Sequence, residues 1–367
     1  MTQTLACTND LPIKHVGAVH DGKVRSVYWI PATDSKRVIE RSGFSVHPET
    51  PLGVMVISDK ISAFDCNWRA KSFDGVPGKG TALNQISHHW FSQFAQMNGE
   101  MNKVGAHHVL ATPHPSCWIV QRAKPVSVEA IVRSHITGSM WRAYTLGTRV
   151  FCGEPLPDGL KQHQQLDYLL LTPTTKGTLH IDGLPSSEDA NLTRDQLRIH
   201  YSQLGYRSAA NVETVNSMVM RAYKFMSQEL RKAGFILADT KFELGYETCA
   251  QATGRLIFID EAGTPDSSRY WPLDKYEQGV VVEESKEIFR QELLKLFPEH
   301  KDLLLNPKRL KERKAFAAET KLPDALFHSV SDVYKRMATA ITGMSLGPSQ
   351  NAREDMLDAL NEYGLLQ

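Results

Sequence analysis

ILADTKFELG, residues 236–245, is the stretch whose reading decides the fold. An apolar lead-in, Ile236-Leu237-Ala238, runs directly into Asp239, Lys241 and Glu243, three charges spaced two apart. Side chains of a β-strand alternate faces with period two, so the charges project from one side and Ala238, Thr240, Phe242 and Leu244 from the other. Upstream, Val212, Val215, Val219, Ala222, Met226 and Leu230 recur at helical spacing over 211–233, and Gly234 stands as the C′ residue. Downstream, GRLIFIDEAG (254–263) reads as a second strand, joined to the first by a loop of about ten residues as a hairpin. Taken alone, the alternating charges also describe a solvated edge strand. The rest of the chain has to decide.

Further out, the first third reads as strands and turns. HDGKVRSVYWI (20–30) is a turn at Asp21-Gly22 followed by a β-branched and aromatic strand. TPLGVMVISD (50–59) is an apolar strand, and CWIVQRAKPV with SVEAIVRSHI (117–136) gives two more, broken at Pro125. Beyond Pro272 the chain becomes helical and charged. Val330, Val333, Tyr334, Met337, Ala340 and Ile341 mark an amphipathic helix stopped by Gly343; GMSLGPSQNA is a linker and REDMLDALNEYG a last short helix. The fold class is α+β: a β-rich lobe over 1–125, an α+β lobe over 126–300 and a helical C-terminal extension over 301–367.

Composition excludes several classes. Of 367 residues, 41% are hydrophobic and 23% charged, and 42 Lys plus Arg stand against 41 Asp plus Glu. A net charge of +1 gives no basic surplus for nucleic acid, so anionic ligands must be held by local clusters. Cys7, Cys66, Cys117, Cys152 and Cys249 are scattered and form no CxxC, which fits reduced thiols and a cytoplasmic location. The N-terminal residues do not read as a signal peptide, and no segment approaches the roughly 20 apolar residues of a membrane span. The paired histidines, 88–89 and 107–108, lack metal-ligand spacing and read as surface or core residues.

Several polar segments carry candidate chemistry. LIFID ends in Asp260, and pairing with the charged strand brings Asp260 near Glu243; two carboxylates facing a cleft suit Mg²⁺ shared with substrate phosphates. In DGKVRSVY, Gly22 allows close backbone approach while Lys23 and Arg25 share a strand face and complement phosphates. In HITGSMWRAY, the turn Thr137-Gly138-Ser139 enters a helix with Ser139 as the N-cap, and Arg133 lies on the strand leading in. LTPTTKGT and GVPGKGTALNQIS are polar turns carrying Lys176 and Lys79. TPDSSRYW offers Arg269, whose planar fork matches carboxylate or phosphate. Each has an ordinary structural explanation when read singly. Together they describe a cleft holding several anionic groups at once.

In chain order, DGKVRSVY, VISDKISAFD, VPGKGTALNQIS, EAIVRSHITGSMWRAY, LTPTTKG, ILADTKFELG and DEAGTPDSSRYW span about residues 20 to 272, and in this order the sequence resembles the SAICAR synthase family of purine biosynthesis. Lys60, His135 and Ala262-Gly263 depart from the family's usual residues without removing a charge the chemistry needs. The resemblance implies a two-lobed fold with the active site between the lobes. It also implies an ATP-dependent ligase that joins L-aspartate to carboxyaminoimidazole ribonucleotide, through an acyl phosphate, with Mg²⁺ as cofactor. On that basis Glu243 and Asp260 would hold the metal, Lys241 would lie against a reacting oxygen, and Asp239 would orient the substrate or accept a proton. Gly22, Lys23 and Arg25 would meet ATP. Arg133, Gly138, Ser139 and Arg269 would bind the ribonucleotide, with Asp59, Ser62, Lys79 and Lys176 as further substrate-binding candidates. A kinase-like phosphotransferase is the rival reading, which aspartate-independent turnover would favour; a non-catalytic nucleotide-binding protein is the other. Oligomeric state stays open. Both carboxylates are expected to be replaceable by amides with the fold intact. KRLKERK (308–314) reads as a solvated helix face, and the stripe at 330–341 must dock on the larger lobe or a second subunit. Removing 345–367 should be mild, while removal from 301 onward should lower the melting temperature or change assembly. The region from about residue 300, beyond the motif-bearing segments that end by Trp271, is expected to be dispensable for chemistry.

Overall fold

The computed structural model describes residues 4–97, 105–248, 254–347 and 351–367. Cys249, the middle of the expected hairpin loop and residues 348–350 of the expected linker lie outside the described residues.

Two sheets carry the fold. The first is five-stranded and antiparallel, in the order His20–Asp21, Arg25–Trp29, Leu52–Ile57, Cys117–Gln121, Val109–His114. Its alternation separates two faces. Tyr28, Val54, Val56 and Ile119 pack into one core with Val38 and Ile39 of the helix Ala32–Ser42 and with Met356 and Leu360 of the helix Ala352–Glu362. Val27, Trp29, Met55 and Val120 look the other way, into a cleft.

The second sheet is centred on the charged segment, which is the strand Phe235–Glu247. It pairs antiparallel with Val128–His135 on one side and with Leu256–Ile259 and Ser268–Pro272 on the other. Registers place Arg133 and Arg269 both opposite Asp239, Ile131 opposite Lys241, and Ile259, next to Asp260, opposite Glu243. The helix Ala209–Lys232 buries Val212, Val215, Val219, Ala222, Met226 and Leu230 in the same core as Phe242 and Leu244, while Asp239, Lys241 and Glu243 line the cleft. From Asp239 onward the expected alternation holds. Before it, a β-bulge between Leu237 and Asp239 breaks the period, so Ala238 packs with Ile236 and Trp271 and not with Phe242 and Leu244.

Helices enter earlier than the sequence reading placed them. Ala32–Ser42 and Lys79–Gln96 both lie in the first hundred residues. The second buries Ala82, Leu83, Ile86, Trp90 and Phe94, an i, i+4 stripe that was available in the sequence. Strands also cross the expected boundary at 125: Ala106–His107 and Ala123–Pro125 belong to the second sheet.

The C-terminal extension is woven into both halves. Asp324–Thr342 ends at Gly343, in the left-handed region, as its stripe implied, and it packs along Lys79–Gln96. Lys321–Leu322 adds a parallel strand beside Cys66–Ala70. The final helix is no passive cap: Met356, Leu360 and Leu365 are fully buried, and Lys14 N donates to Leu365 O at 2.8 Å and Gln367 N to Pro12 O at 2.9 Å. The expectation that 345–367 is removable at little cost is therefore corrected. KRLKERK is solvated at Lys308, Lys311, Glu312 and Lys314, but Arg313 departs from that reading: it is buried and donates to the Leu304 and Asn306 carbonyls.

Candidate active site

The cleft between the two sheets has a volume of about 1380 Å³ and is lined by cations and carboxylates in nearly equal number. Its floor is the charged strand. Asp239 Oδ2 accepts from Arg133 Nη1 at 2.6 Å and Arg269 Nη1 at 2.7 Å; Asp239 and Arg133 are nearly excluded from water, while Arg269 is part-buried at the cleft wall. The register explains the contact, because the strand's two neighbours each deliver an arginine opposite Asp239. Arg133 is held further by Thr172 Oγ1 at 2.9 Å, and Ser139 Oγ lies 3.5 Å from Arg133 Nη2. A carboxylate clamped between two guanidiniums fixes both forks. This geometry fits the orienting role for Asp239 better than the proton-accepting one.

Lys241 Nζ donates to Glu129 Oε1 at 2.7 Å and lies 3.3 Å from Glu243 Oε1. Burial opposes its charge, yet Glu129 and Asp260 together raise its pKa, so it is a cation throughout the physiological range. Lys176, on the loop after Thr174–Thr175, bonds the other oxygen of Glu243. Its pKa is lowered, chiefly by burial. Asp260 follows the strand Leu256–Ile259 with φ 60°, the left-handed region that a non-glycine residue rarely adopts and that often marks a functional position. Burial pushes its carboxyl up, but Arg25 at 3.2 Å, with Lys176 and Lys241, holds it below the ordinary range.

The turn at Asp21-Gly22 is present, with departures. Lys23 lies in the bend, not on the strand, and pairs with Asp65 at 2.7 Å. The Gly22 amide donates to Arg25 O at 2.8 Å, so the hairpin uses it and it is not free for an anion. Arg25 is buried against Glu261 at 2.8 Å as well as Asp260. All three still line the cleft.

Thr137, not Ser139, precedes the helix Gly138–Thr145; Ser139 lies inside the first turn and faces the cleft. Gly138 has φ 57°, and a Cβ there would come within 2.5 Å of Arg269 Nη2, so both backbone and space require glycine. Ser62 lines the cleft. Asp59 does not: it is buried with its oxygens accepting from Leu5 N and Gly80 N, both at 2.9 Å, and holds backbone in place. Lys79 is no turn residue. It opens a helix, is wholly buried and pairs with Asp266 at 2.9 Å.

The structure adds residues the sequence reading missed. Glu129 and Glu261 became visible only through strand pairing and the fold of the turn after Asp260. Arg142, Lys286 and Arg290 add cations, and Leu304, Leu305 and Arg313 bring the extension, expected to be dispensable for chemistry, into the cleft wall. Burial, against the attraction of Asp266, pulls the Lys286 ammonium down to about 8.

Among the described residues, no three His, Cys, Asp or Glu side chains converge as a self-sufficient metal site. Glu243 and Asp260 share Lys176 and Lys241 as neighbours and supply hard oxygens from adjacent strands. The donor set fits Mg²⁺ that takes one or two protein carboxylates and completes its octahedron with phosphate and water.

A SAICAR synthetase family profile matches residues 18–304. The chain belongs to the SAICAR synthetase family. It is similar, at 47% identity over 99% of its length and 98% of the relative's, to the phosphoribosylaminoimidazole-succinocarboxamide synthase of Vibrio vulnificus (strain CMCP6). Identity to the Vibrio cholerae enzyme of the same name is 45% over the whole chain and 98% of that relative, so the alignments include the C-terminal extension. The Saccharomyces cerevisiae SAICAR synthase structure, solved with SAICAR, superposes with a TM-score of 0.65 at 23% identity, covering 92% of this chain and 97% of that one. A SAICAR synthetase solved with ADP gives 0.56 at 18% identity, covering 90% and 99%. These two likenesses bear on the fold, which is the two-lobed α+β architecture expected from the sequence.

Proposed function

We propose that this chain is an ATP-dependent carbon–nitrogen ligase of purine biosynthesis, joining L-aspartate to carboxyaminoimidazole ribonucleotide with release of ADP and phosphate. The observation that carries the reading is family membership over nearly the full chain, with the charged strand flooring a cleft large enough for several anions. A carboxylate is a poor electrophile, so amide formation needs activation. The γ-phosphoryl group passes to the imidazole carboxylate, breaking its bond to the ADP oxygen and forming an acyl phosphate. The aspartate nitrogen then attacks the acyl carbon, and the C–O bond breaks to release phosphate.

The apolar end of the cleft, at Val27, Trp29, Met55 and Val120, suits a purine ring, with Lys23 and Arg25 toward the phosphates. Arg133, Ser139 and Arg269, set by Asp239 and Gly138, suit the ribonucleotide. Glu243 and Asp260 would hold Mg²⁺, which when bound neutralises phosphate charge. Lys241, with Lys176 beside it, would lie against the transferring oxygens as charge develops on them. Phosphoryl transfer needs alignment and charge neutralisation more than covalent help, and the ion pairs supply both in advance: each cation is already aimed, and substrate oxyanions replace or share its protein partner. The test is an ADP-release assay with each substrate omitted in turn. Equal release without either acceptor rejects the ligase reading.

A further inference from the structure

We propose that Tyr334, in the C-terminal extension, is a positioning residue: it holds Asp266, and through Asp266 the Lys286 ammonium, in place to receive a substrate oxyanion. The inference builds on the ligase reading above. Tyr334 is completely buried, and its hydroxyl donates to Asp266 Oδ1. The other oxygen, Oδ2, accepts from Lys79 Nζ at 2.9 Å and lies 3.4 Å from Lys286 Nζ. Two ammonium groups thus share one carboxylate, leaving one positive charge in local excess. Lys79 is sealed from solvent, with its Nζ 5.6 Å from the centre of the Tyr334 ring, whereas Asp266 and Lys286 line the cleft. The excess charge is therefore presented by Lys286. Its situation differs from that of Arg25, Arg133 and Lys241, each of which has a carboxylate within 2.8 Å.

The helix Asp324–Thr342 holds this arrangement at three points. Ser331 Oγ donates to Pro77 O at 2.6 Å, just before Lys79; Tyr334 reaches Asp266; and Arg336 donates to both oxygens of Glu284, at 2.9 and 2.6 Å, two residues before Lys286. Each of the three segments that carry the charge cluster is tied to this one helix, which lies beyond the residues the family profile matches. A carboxylate and a phosphoryl oxygen are alike in what they offer an ammonium, so the ligand chemistry is an oxyanion, and the kinetics assign its source.

The experiment compares wild type, Tyr334→Phe and Lys286→Met, with melting temperature measured beside steady-state constants for ATP, the ribonucleotide and L-aspartate. A hydrogen bond to a charged group is among the stronger ones, and its loss is read as a fold-change in KM. Tyr334→Phe, which keeps the ring and its packing, should raise KM for one substrate about tenfold and leave kcat within about twofold; Lys286→Met should raise the same KM at least as far. A rise for L-aspartate assigns a carboxylate, a rise for ATP a phosphoryl oxygen, and a rise for the ribonucleotide one of its own two anionic groups. A folded Tyr334→Phe enzyme with all three KM values at wild-type levels overturns the proposal, even if it melts earlier. Should Tyr334→Phe not fold, unchanged KM values in Lys286→Met overturn it instead. ADP release by wild type that ignores both acceptors defeats the ligase reading and leaves the Tyr334 comparison to the KM for ATP.

Discussion

Replacing Leu360 with alanine should destabilise the protein by about 2–5 kcal/mol while leaving turnover per folded molecule unchanged. Leu360 has no exposed surface and sits in the core that joins the last helix to Val54, Val56 and Ile119 of the first sheet. Removing a fully buried leucine side chain forfeits about 1.5–3 kcal/mol of transfer free energy, and the cavity left in rigid surroundings extends the loss to about 2–5. Deleting residues 351–367 also removes Met356 and Leu365 from this core, uncovers the sheet face they pack on, and breaks the backbone links to Pro12 and Lys14. Three such side chains sum to about 5–9 kcal/mol, comparable with a typical folding margin of about 5–15. A chain truncated at residue 350 should therefore not yield a stable first lobe. The assay is urea unfolding followed by tryptophan fluorescence: the Leu360→Ala midpoint should fall at an unchanged slope, and ADP release below the transition should match wild type per folded molecule. No residue of this helix lines the cleft. A wild-type midpoint, or a folded variant with reduced kcat, would refute the reasoning.

Glu243→Gln and Asp260→Asn should each lower kcat/KM for ATP at limiting Mg²⁺ by at least about tenfold, partly restored at high Mg²⁺, an effect of ~1.4 kcal/mol; Glu243→Gln should also melt somewhat earlier, because Glu243 is buried between Lys176 and Lys241. Gly138→Ala should raise KM for the ribonucleotide, since the left-handed backbone costs about 1–2 kcal/mol and the new methyl displaces Arg269 from its place beside Asp239. Glu283, raised by burial to about 7, favours folding while protonated; that contribution is complete below the ordinary glutamate pKa near 4.5 and is lost as pH rises through 7. Glu283→Gln should accordingly flatten the stability profile between about pH 4.5 and 7 and stabilise the protein at pH 8, each pKa unit being worth ~1.4 kcal/mol in melts taken across that range. Asp260 works in the opposite sense: its carboxyl is held below the ordinary value near 3.8, so its contribution is present above that pH and disappears on further acidification.

What the sequence made legible was local. The charges at 239, 241 and 243, the helix stops at Gly234 and Gly343, and the hairpin that brings Asp260 beside the charged strand all follow from period and turn chemistry. The bulge at Leu237–Asp239 was hidden because nothing in ILAD marks an extra residue. Partners across strands were hidden for a different reason. Glu129 meets Lys241, and Arg269 meets Asp239, through a register that depends on which strands pair. Lys79 and Asp59, read as substrate-binding candidates, and Arg313, read as part of a solvated face, proved buried, because their partners, Asp266, the Leu5 and Gly80 amides, and the Leu304 carbonyl, come from elsewhere in the chain. The role of the extension was least visible, since an amphipathic stripe states that a face is covered but not by what.

The central claim is that one cleft couples ATP cleavage to amide formation. The most direct measurement is ADP release in the steady state with ATP and Mg²⁺ present and the ribonucleotide carboxylate or L-aspartate withheld in turn, product being followed in parallel. Sustained release should require both acceptors and match the amide formed one for one. Sustained release at the full rate without L-aspartate, or without the ribonucleotide, would contradict the account.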